Sequence, residues 1–233
     1  MKKKLAVFDI DGTIFRWTFI AELMQSLTKK EIFDKNVIKQ TEKAYFNWKD
    51  RKGSWDDYIN TVVTVTNKAL KGKSEKEVDA VIKEIILYKK DNVYVFTREL
   101  INKLKKDNFF LLAISASPEK IVAEFTKVLG FNKYYGTVYE IINGIYTGKE
   151  LNNIVFDKHT VLTKFLTENK TFNLKGSVGV GDSGSDISFL EMMENPIAFN
   201  PDRKLAEIAR EKGWKIVVER KNVIYNLTKF EFE

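Results

Sequence analysis

The chain has 233 residues, of which 44% are hydrophobic and 30% are charged, and this composition suits one large domain or a core domain with a modest insertion. The absence of cysteine excludes a disulfide scaffold and a thiolate metal site. The formal net charge of +7 arises from lysines spread along the chain, so it indicates a basic surface and does not select nucleic acid as a partner.

The N-terminal segment is basic, but its apolar run is interrupted at Asp9, which is too early for a signal peptide. No stretch of about 18 apolar residues is present, so no membrane span is expected. We therefore predict a cytoplasmic protein that has no membrane partner.

The first part of the chain changes from a strand pattern to a helix pattern. Residues 4–10 are mostly apolar and predict a buried first strand. Residues 16–90 place apolar side chains at helical spacings, with a predicted helix cap at Ser54 and a capping box at Ser74 and Glu77. This segment is too long for one crossover helix, so we interpret it as an inserted helical cap domain.

From residue 91 onward, short apolar runs alternate with amphipathic segments. The predicted elements are a helix at 97–108, a strand at 109–115, a helix at 117–130 that ends at Gly130, a strand and hairpin at 134–149 with its turn at Asn143–Gly144, a helix at 157–169 capped by Asp157, a strand at 176–182, a helix at 185–194, a strand at 196–200, a helix at 203–212 and a strand at 214–218. This alternation predicts a doubly wound, mainly parallel, Rossmann-like α/β sheet built from residues 1–15 and 91–233.

Acidic and hydroxyl side chains follow three of the predicted strands. The first strand ends at Asp9 and Asp11, the second at Ser115, and the third at Asp182, with Asp186 one turn later. Because ligands bind beyond the carboxyl ends of strands in open α/β sheets, we expect these groups at one rim. Crowded carboxylates need a cation, and carboxylates without thiolates favour a hard ion, so we predict Mg²⁺.

Other interpretations of single motifs are weaker. The first acidic pair could begin a calcium loop, but its glycine stands at loop position four, and Ile20 stands where a bidentate glutamate is required. Residues 179–184 match a dinucleotide-binding fingerprint with Asp202 as the ribose-binding acid, but Asp182 would face the pyrophosphate and too few residues follow. His159 lies on a predicted helix, where we assign it a structural role.

Four motifs together resemble those of a known family. FDIDGT, ISAS, Lys158 at the start of a helix, and GDSGSD occur in the order and spacing of the haloacid dehalogenase-like phosphatases, over essentially the whole chain. The helical insertion after the first motif and the segment 196–209 resemble the subfamily that contains phosphoserine phosphatases. The resemblance implies a Mg²⁺-dependent phosphatase that hydrolyses a small phosphorylated metabolite through an aspartyl-phosphate intermediate.

The resemblance also implies roles for the acidic residues. Asp9 would be the nucleophile, and Asp11 would be the general acid and then the general base. Mg²⁺ would be held by Asp9, by Asp182 and by Asp11 through its backbone carbonyl.

The remaining motif residues would act on the phosphoryl group. Ser115, Lys158 and the backbone N–H at Gly12 would bind its oxygens and offset their charge. Asp186 would orient Lys158 or a metal-bound water.

Two positions depart from the subfamily. Phosphoserine phosphatases carry a glutamate about nine residues after the nucleophile, whereas this chain has Thr18 there, and Glu22 follows only four residues later. Arg16 instead offers a positive charge, so we predict that Arg16 and Thr18 contribute to substrate selection. A phosphotransferase and a non-catalytic phosphate-binding regulatory protein remain as alternatives. Nucleic acid is not expected as a partner, and the sequence does not define an oligomeric state.

Overall fold

The computed structural model describes residues 3–152 and 158–227. Its strands are β1 (Leu5–Phe8), β2 (Phe110–Pro118), β3 (Lys133–Thr137), β4 (Tyr139–Ile142), β5 (Ile145–Glu150), β6 (Val178–Gly181), β7 (Asn195–Phe199), β8 (Lys215–Arg220) and β9 (Val223–Leu227). Seven of them form one sheet in the order β3-β2-β1-β6-β7-β8-β9, while β4 and β5 pair as a separate hairpin. All neighbours in the main sheet are parallel except β8 and β9.

The helices flank this sheet. They are α1 (Phe19–Lys29), α2 (Asn36–Lys49), α3 (Trp55–Leu70), α4 (Glu75–Lys89), α5 (Val95–Lys106), α6 (Glu119–Leu129), α7 (Lys158–Glu168), α8 (Ile187–Leu190) and α9 (Arg203–Glu211). The predicted α/β fold class is therefore confirmed. We call α1–α4 the cap helices, while the division into a core domain and a cap domain stays a prediction. In the part of the chain that the structure describes, no helix has both the length and the apolar character needed to cross a membrane.

Strand β1 lies at the centre of the sheet because its side chains are apolar on both faces. Leu5 and Val7 belong to one hydrophobic cluster, and Ala6 and Phe8 belong to another that extends into the cap helices. Alternate residues of a strand point to opposite faces, so β1 must be covered on both sides. The order of the strands reverses between β1 and β6, which is where α/β sheets bind ligands.

Several predicted boundaries are correct, and two need correction. Strand β2 continues past its predicted end at Ser115 to Pro118. The hairpin turn at Asn143–Gly144 has positive φ at both residues, and Gly130 ends α6 in the left-handed conformation. The helix predicted at 185–194 is instead a short 3₁₀ turn followed by the four-residue α8. The backbone N–H of Asn195 bonds to the Ser177 carbonyl at 3.0 Å, so the chain must leave the helix early to begin β7.

One further prediction about a helix end is wrong, and one strand was not predicted. Ser54 caps α3 with its side chain as expected, but Ser74 makes no side-chain cap on α4. The hairpin replaces that cap, because the N–H of Glu75 donates to the carbonyl of Gly144 at 2.8 Å. The sequence pattern also failed to indicate β9, because its turn contains no glycine and Lys221 takes the positive φ. The predicted cap at Asp157 lies outside the described residues.

The cap helices are joined to the rest of the fold by a hinge. The two chain segments that enter and leave the cap helices pair there through backbone hydrogen bonds. The Arg16 N–H donates to the Asn92 carbonyl and the Tyr94 N–H donates to the Ile14 carbonyl, both at 3.0 Å. The first turn of α5 follows directly, and the Glu219 carboxylate accepts its free N–H groups at 2.8–3.1 Å. The hinge is therefore fixed to β8 of the main sheet.

The β4–β5 hairpin provides a second attachment to the cap helices. Tyr146 exchanges backbone hydrogen bonds with the loop between α3 and α4, accepting from Gly72 at 2.8 Å and donating to Lys73 at 3.0 Å. The Tyr139 hydroxyl donates to Asn67 of α3 at 2.8 Å. These contacts hold the far end of the cap helices against residues that follow β3.

Candidate active site

The predicted site residues meet beyond the carboxyl ends of β1 and β6. The N–H of Asp9 continues the ladder of β1 by donating to the carbonyl of Val180 at 2.9 Å, which places Asp9 beside the end of β6. Asp182 follows that strand, and Asp186 lies in the next turn. Carboxylate oxygens of Asp9, Asp182 and Asp186 all lie within 4.8 Å of one another.

Lys158, at the start of α7, is the cation closest to this acidic cluster among the described residues. Its Nζ lies 2.6 Å from Asp9 Oδ1 and 2.5 Å from Asp186 Oδ1, and its side chain is only 2% exposed. Burial alone would lower the pKa of Lys158, but the charges of Asp186 and Asp9 outweigh that effect and raise it. The ammonium group therefore stays charged between the two carboxylates.

Asp186 links this lysine to the loop that follows β6. Its second oxygen, Oδ2, accepts the N–H groups of Asp182 and Ser183 at 3.0 Å each. A side chain at Gly181 would place its Cβ 2.5 Å from the Cβ of Asp186, so only glycine permits this approach. Asp186 thus fixes both Lys158 and the backbone that carries Asp182.

The acidic cluster holds more negative charge than its surroundings neutralise. Burial raises the pKa of Asp9 to about 7, with Lys158 opposing and Asp186 and Asp11 adding to the increase. Burial, followed by the charges of Asp9 and Asp186, raises the pKa of Asp182 well above its usual value. Asp9 Oδ2 is buried and has no hydrogen-bond partner among the described residues. This free oxygen and the hard oxygen donors around it fit Mg²⁺.

The side chain of Asp11 points away from the cluster. Its Oδ1 accepts the N–H of Phe19, the first residue of α1, at 2.6 Å, and its Oδ2 accepts the hydroxyl of Ser115 at 2.9 Å. Burial raises the pKa of Asp11, while these hydrogen bonds lower it. The side chain of Asp11 therefore contacts both β2 and the cap helices. Only its backbone carbonyl is left for the predicted role as a metal ligand.

The Gly12 N–H is already used within its own loop. It donates to the carbonyls of Phe15 at 2.9 Å and Trp17 at 3.1 Å, so contact with a phosphoryl oxygen would require these bonds to be exchanged. Gly12 has a φ of +79°, and a Cβ there would lie 2.0 Å from Asp182 Oδ2. Its visible contribution is thus a tight turn that lets Asp182 approach the loop of Asp11.

Replacing Gly12 with alanine is expected to remove activity by displacing Asp182. Gly72→Ala is the matched control, because Gly72 also has a φ of +79° but no atom lies within 4 Å of the position that a Cβ would take there. Both variants carry about 1 kcal/mol or more of backbone strain. Only Gly12→Ala should lose phosphate release, and only this variant should lose Mg²⁺ binding, which titration calorimetry measures. Equal activity in the two variants would contradict this assignment.

Arg16 and Thr18 lie at the junction between the loop and the cap helices. Thr18 is buried at the start of α1 and makes no side-chain cap, while Asp11 accepts the N–H of Phe19, the first residue of that helix. The Arg16 guanidinium lies 5.3 Å from the ring centre of Tyr94. Glu22 pairs with Lys89 at 3.3 Å, so it does not replace the missing glutamate within the described contacts.

Two residues near the site were not predicted from the sequence. The buried Thr13 donates its hydroxyl to Asp182 Oδ1 at 3.3 Å. Its position inside the first motif, FDIDGT, could have indicated that it lies near the site. Tyr94 lies close enough to Asp182 that the carboxylate charge, after burial, raises the pKa of Tyr94. No local pattern marks Tyr94, because the contact depends on pairing across the hinge.

The arrangement was compared with known proteins. A sequence model of the haloacid dehalogenase-like hydrolases matches residues 6–191, which include every predicted site residue. The chain belongs to this family. The predicted family membership is confirmed: FDIDGT and GDSGSD stand at the ends of β1 and β6, ISAS lies within β2, and Lys158 begins α7.

Relatives of this haloacid dehalogenase-like hydrolase include named phosphatases. A phosphoserine phosphatase of Mycobacterium tuberculosis (strain ATCC 25618 / H37Rv) is 29% identical over 222 residues, which cover 91% of this chain and 69% of that protein. A histidinol-phosphatase of Neisseria meningitidis serogroup C (strain 8013) is 28% identical over 222 residues, which cover 92% of this chain and 98% of that protein. Both named phosphatases therefore align with nearly the whole of this hydrolase.

A solved structure shares the same fold. The phospho-aspartyl intermediate analogue of a phosphoserine phosphatase superposes with a TM-score of 0.61, at 23% identity, over 95% of this chain and 96% of that chain. At this identity the similarity establishes the architecture alone. The substrate of this chain must be argued from its own residues.

Proposed function

We propose that the chain is a Mg²⁺-dependent phosphomonoesterase that hydrolyses a small phosphorylated metabolite through an aspartyl-phosphate on Asp9. One observation carries the proposal: Lys158 holds one oxygen of the Asp9 carboxylate, and the other oxygen is buried without a partner among the described residues. A carboxylate fixed at one oxygen and free at the other is oriented for nucleophilic attack.

The reaction has two steps. In the first, a carboxylate oxygen of Asp9 forms a bond to phosphorus, the bond from phosphorus to the substrate oxygen breaks, and Asp11 gives its proton to the leaving alkoxide. In the second, Asp11 takes a proton from water, the oxygen of that water attacks phosphorus, and Asp9 is released together with phosphate. The raised pKa of Asp11 favours the protonated form that the first step needs.

Asp9, Asp182 and the backbone carbonyl of Asp11 would hold Mg²⁺. When bound, the ion supplies positive charge that lets an anionic nucleophile approach an anionic phosphate. Two unit charges about 4 Å apart otherwise repel by about 4 kcal/mol at an effective dielectric constant of about 20. Lys158 offsets part of this repulsion, and the Ser115 hydroxyl would turn from Asp11 to a phosphoryl oxygen.

The relatives suggest two candidate substrates, phosphoserine and histidinol phosphate. Thr18 offers no carboxylate for the amine of phosphoserine, and Glu22 is paired with Lys89. A larger leaving group is therefore at least as well supported as serine. Transfer of the phosphoryl group to an alcohol and non-catalytic phosphate binding stay as alternatives, and cytoplasmic location stays a prediction from the sequence.

Removal of divalent metal is expected to abolish phosphate release from p-nitrophenyl phosphate, and Mg²⁺ should restore it. The acidic cluster would lose the cation that offsets its charge, while the fold should persist because Lys158 still pairs with Asp9 and Asp186. Circular dichroism before and after EDTA provides the control. Hydrolysis that continues at the same rate in EDTA would remove the metal from the proposal, and analysis of products with added alcohols would reveal transfer.

A further inference from the structure

A large cavity lies between α1, α2 and the hinge. Its volume is about 570 Å³, within the range of about 300–1,000 Å³ that is usual for ligand pockets. Aromatic rings form much of its wall, namely those of Trp17, Tyr45, Phe46 and Tyr58. We call this space the cap cavity. None of the carboxylates of the acidic cluster lines it, but Arg16 and Trp17, at the end of the loop that follows β1, do.

The cap cavity adjoins the end of the loop that follows β1. Arg16 and Trp17 belong to its wall, and the Trp17 carbonyl accepts the N–H of Gly12 at 3.1 Å. Arg16 also lies over the ring of Tyr94, whose pKa is raised by burial and then by the charge of Asp182. Gly12 and Tyr94 thus lie next to both the cavity wall and the acidic cluster.

The wall of the cavity also contains polar groups. Tyr58 is only 2% exposed and lines the cavity. Burial, and then the neighbouring Tyr45, raises the pKa of Tyr58 to about 12, so the hydroxyl keeps its proton. A protonated hydroxyl in the cavity wall can donate a hydrogen bond to a ligand. Gln25 and Asn92 add amide groups to the same wall.

We propose that the cap cavity receives the leaving group of the substrate, and that this leaving group carries a nitrogen-containing heteroaromatic ring. The inference rests on the proposed phosphomonoesterase function. Aromatic walls favour a flat ring by stacking. The Tyr58 hydroxyl and the amides of Gln25 and Asn92 favour a ring that can donate and accept hydrogen bonds.

Other leaving groups fit these walls less well. A serine-sized group would leave most of the 570 Å³ unfilled and would contact little of the aromatic surface. A plain hydrocarbon ring would fill the space but would form no hydrogen bond with the Tyr58 hydroxyl or the amide groups. A heteroaromatic ring can stack on the aromatic side chains of the wall and can also form hydrogen bonds with its polar groups.

The test compares four phosphate esters with the Mg²⁺-loaded enzyme. The ester of an imidazolyl alcohol and cytidine monophosphate carry the ring, whereas phosphoserine and glycerol phosphate do not. We expect kcat/KM to be at least about tenfold higher for a ring-bearing ester than for phosphoserine. Tyr58→Phe should lower kcat/KM by about five- to tenfold for the ring-bearing ester and leave phosphoserine unchanged. Tyr88→Phe is the matched control, because Tyr88 is 74% exposed and lies outside the cavity.

Equal kcat/KM values for all four esters, or an equal loss for all of them in Tyr58→Phe, would overturn the assignment of the cavity. A second measurement does not depend on catalysis. The free imidazolyl alcohol and cytidine should change the tryptophan fluorescence, serine should not, and Trp17→Phe should remove most of the response. If no ester is hydrolysed, the proposed function fails, and the fluorescence titration still decides whether the cavity binds a ring.

Discussion

Asp9→Asn is expected to abolish turnover and to leave the fold intact. The variant lacks the nucleophilic oxygen, and loss of a covalent nucleophile lowers kcat by about 10⁴-fold or more. The amide can still accept the hydrogen bond of Lys158, and it removes one of the crowded buried carboxylates. In EDTA the melting temperature should therefore be equal to that of the wild type or higher. Phosphate release and thermal unfolding measure the two effects separately.

Asp107→Asn is the matched control for this substitution. Asp107 is exposed and ends α5, at the edge of the sheet opposite the acidic cluster, because the chain enters β2 from there. This variant should keep wild-type kcat. After rapid acid quenching, peptide mapping of the wild type should locate a phosphoryl group at Asp9. A wild-type rate in Asp9→Asn would show that another group attacks phosphorus.

Lys158→Met should lower both stability and activity. The lysine is buried between Asp9 and Asp186, and its removal leaves two buried carboxylates without a cation. Breaking a buried ion pair on one side destabilises a protein by about 3–5 kcal/mol. Urea unfolding in EDTA measures this change in the free energy of unfolding, and phosphate release in Mg²⁺ measures the loss of kcat.

Two further variants make this prediction specific. Lys120→Met also removes a lysine that pairs with two carboxylates, those of Glu75 and Asp79, but its side chain is 33% exposed, so the loss should be about 1 kcal/mol or less. Adding Asp186→Asn to Lys158→Met should recover part of the stability and none of the activity. Similar losses in Lys120→Met and Lys158→Met would contradict the picture of a buried charge cluster.

The sequence was a good guide wherever a single local signal was enough. Four apolar residues of β1 followed by Asp9 predict a central strand that ends in the site, and the structure places them there. The same holds for Asp182 after β6. Each signal lies within a few residues of the feature, so no tertiary contact had to be known.

The sequence was a poor guide where a contact joins distant segments. The orientation of Asp11 depends on the N–H of Phe19 and the hydroxyl of Ser115, which lie on different elements. The missing side-chain cap at Ser74 depends on the hairpin around Gly144. Propensity predicts what a segment can do alone, and tertiary partners decide among the options.

The two attachments of the cap helices affect how substrate can enter and product can leave. A cover held only by a hinge can swing open as one piece, but here the hairpin also holds the loop between α3 and α4. Helix α2 takes part in none of these hydrogen bonds and fully buries only Val37 and Thr41. Helices with few buried side chains open locally at low free energy. Substrate and product should therefore exchange with solvent by local opening of α2, before the cap helices rotate as one piece.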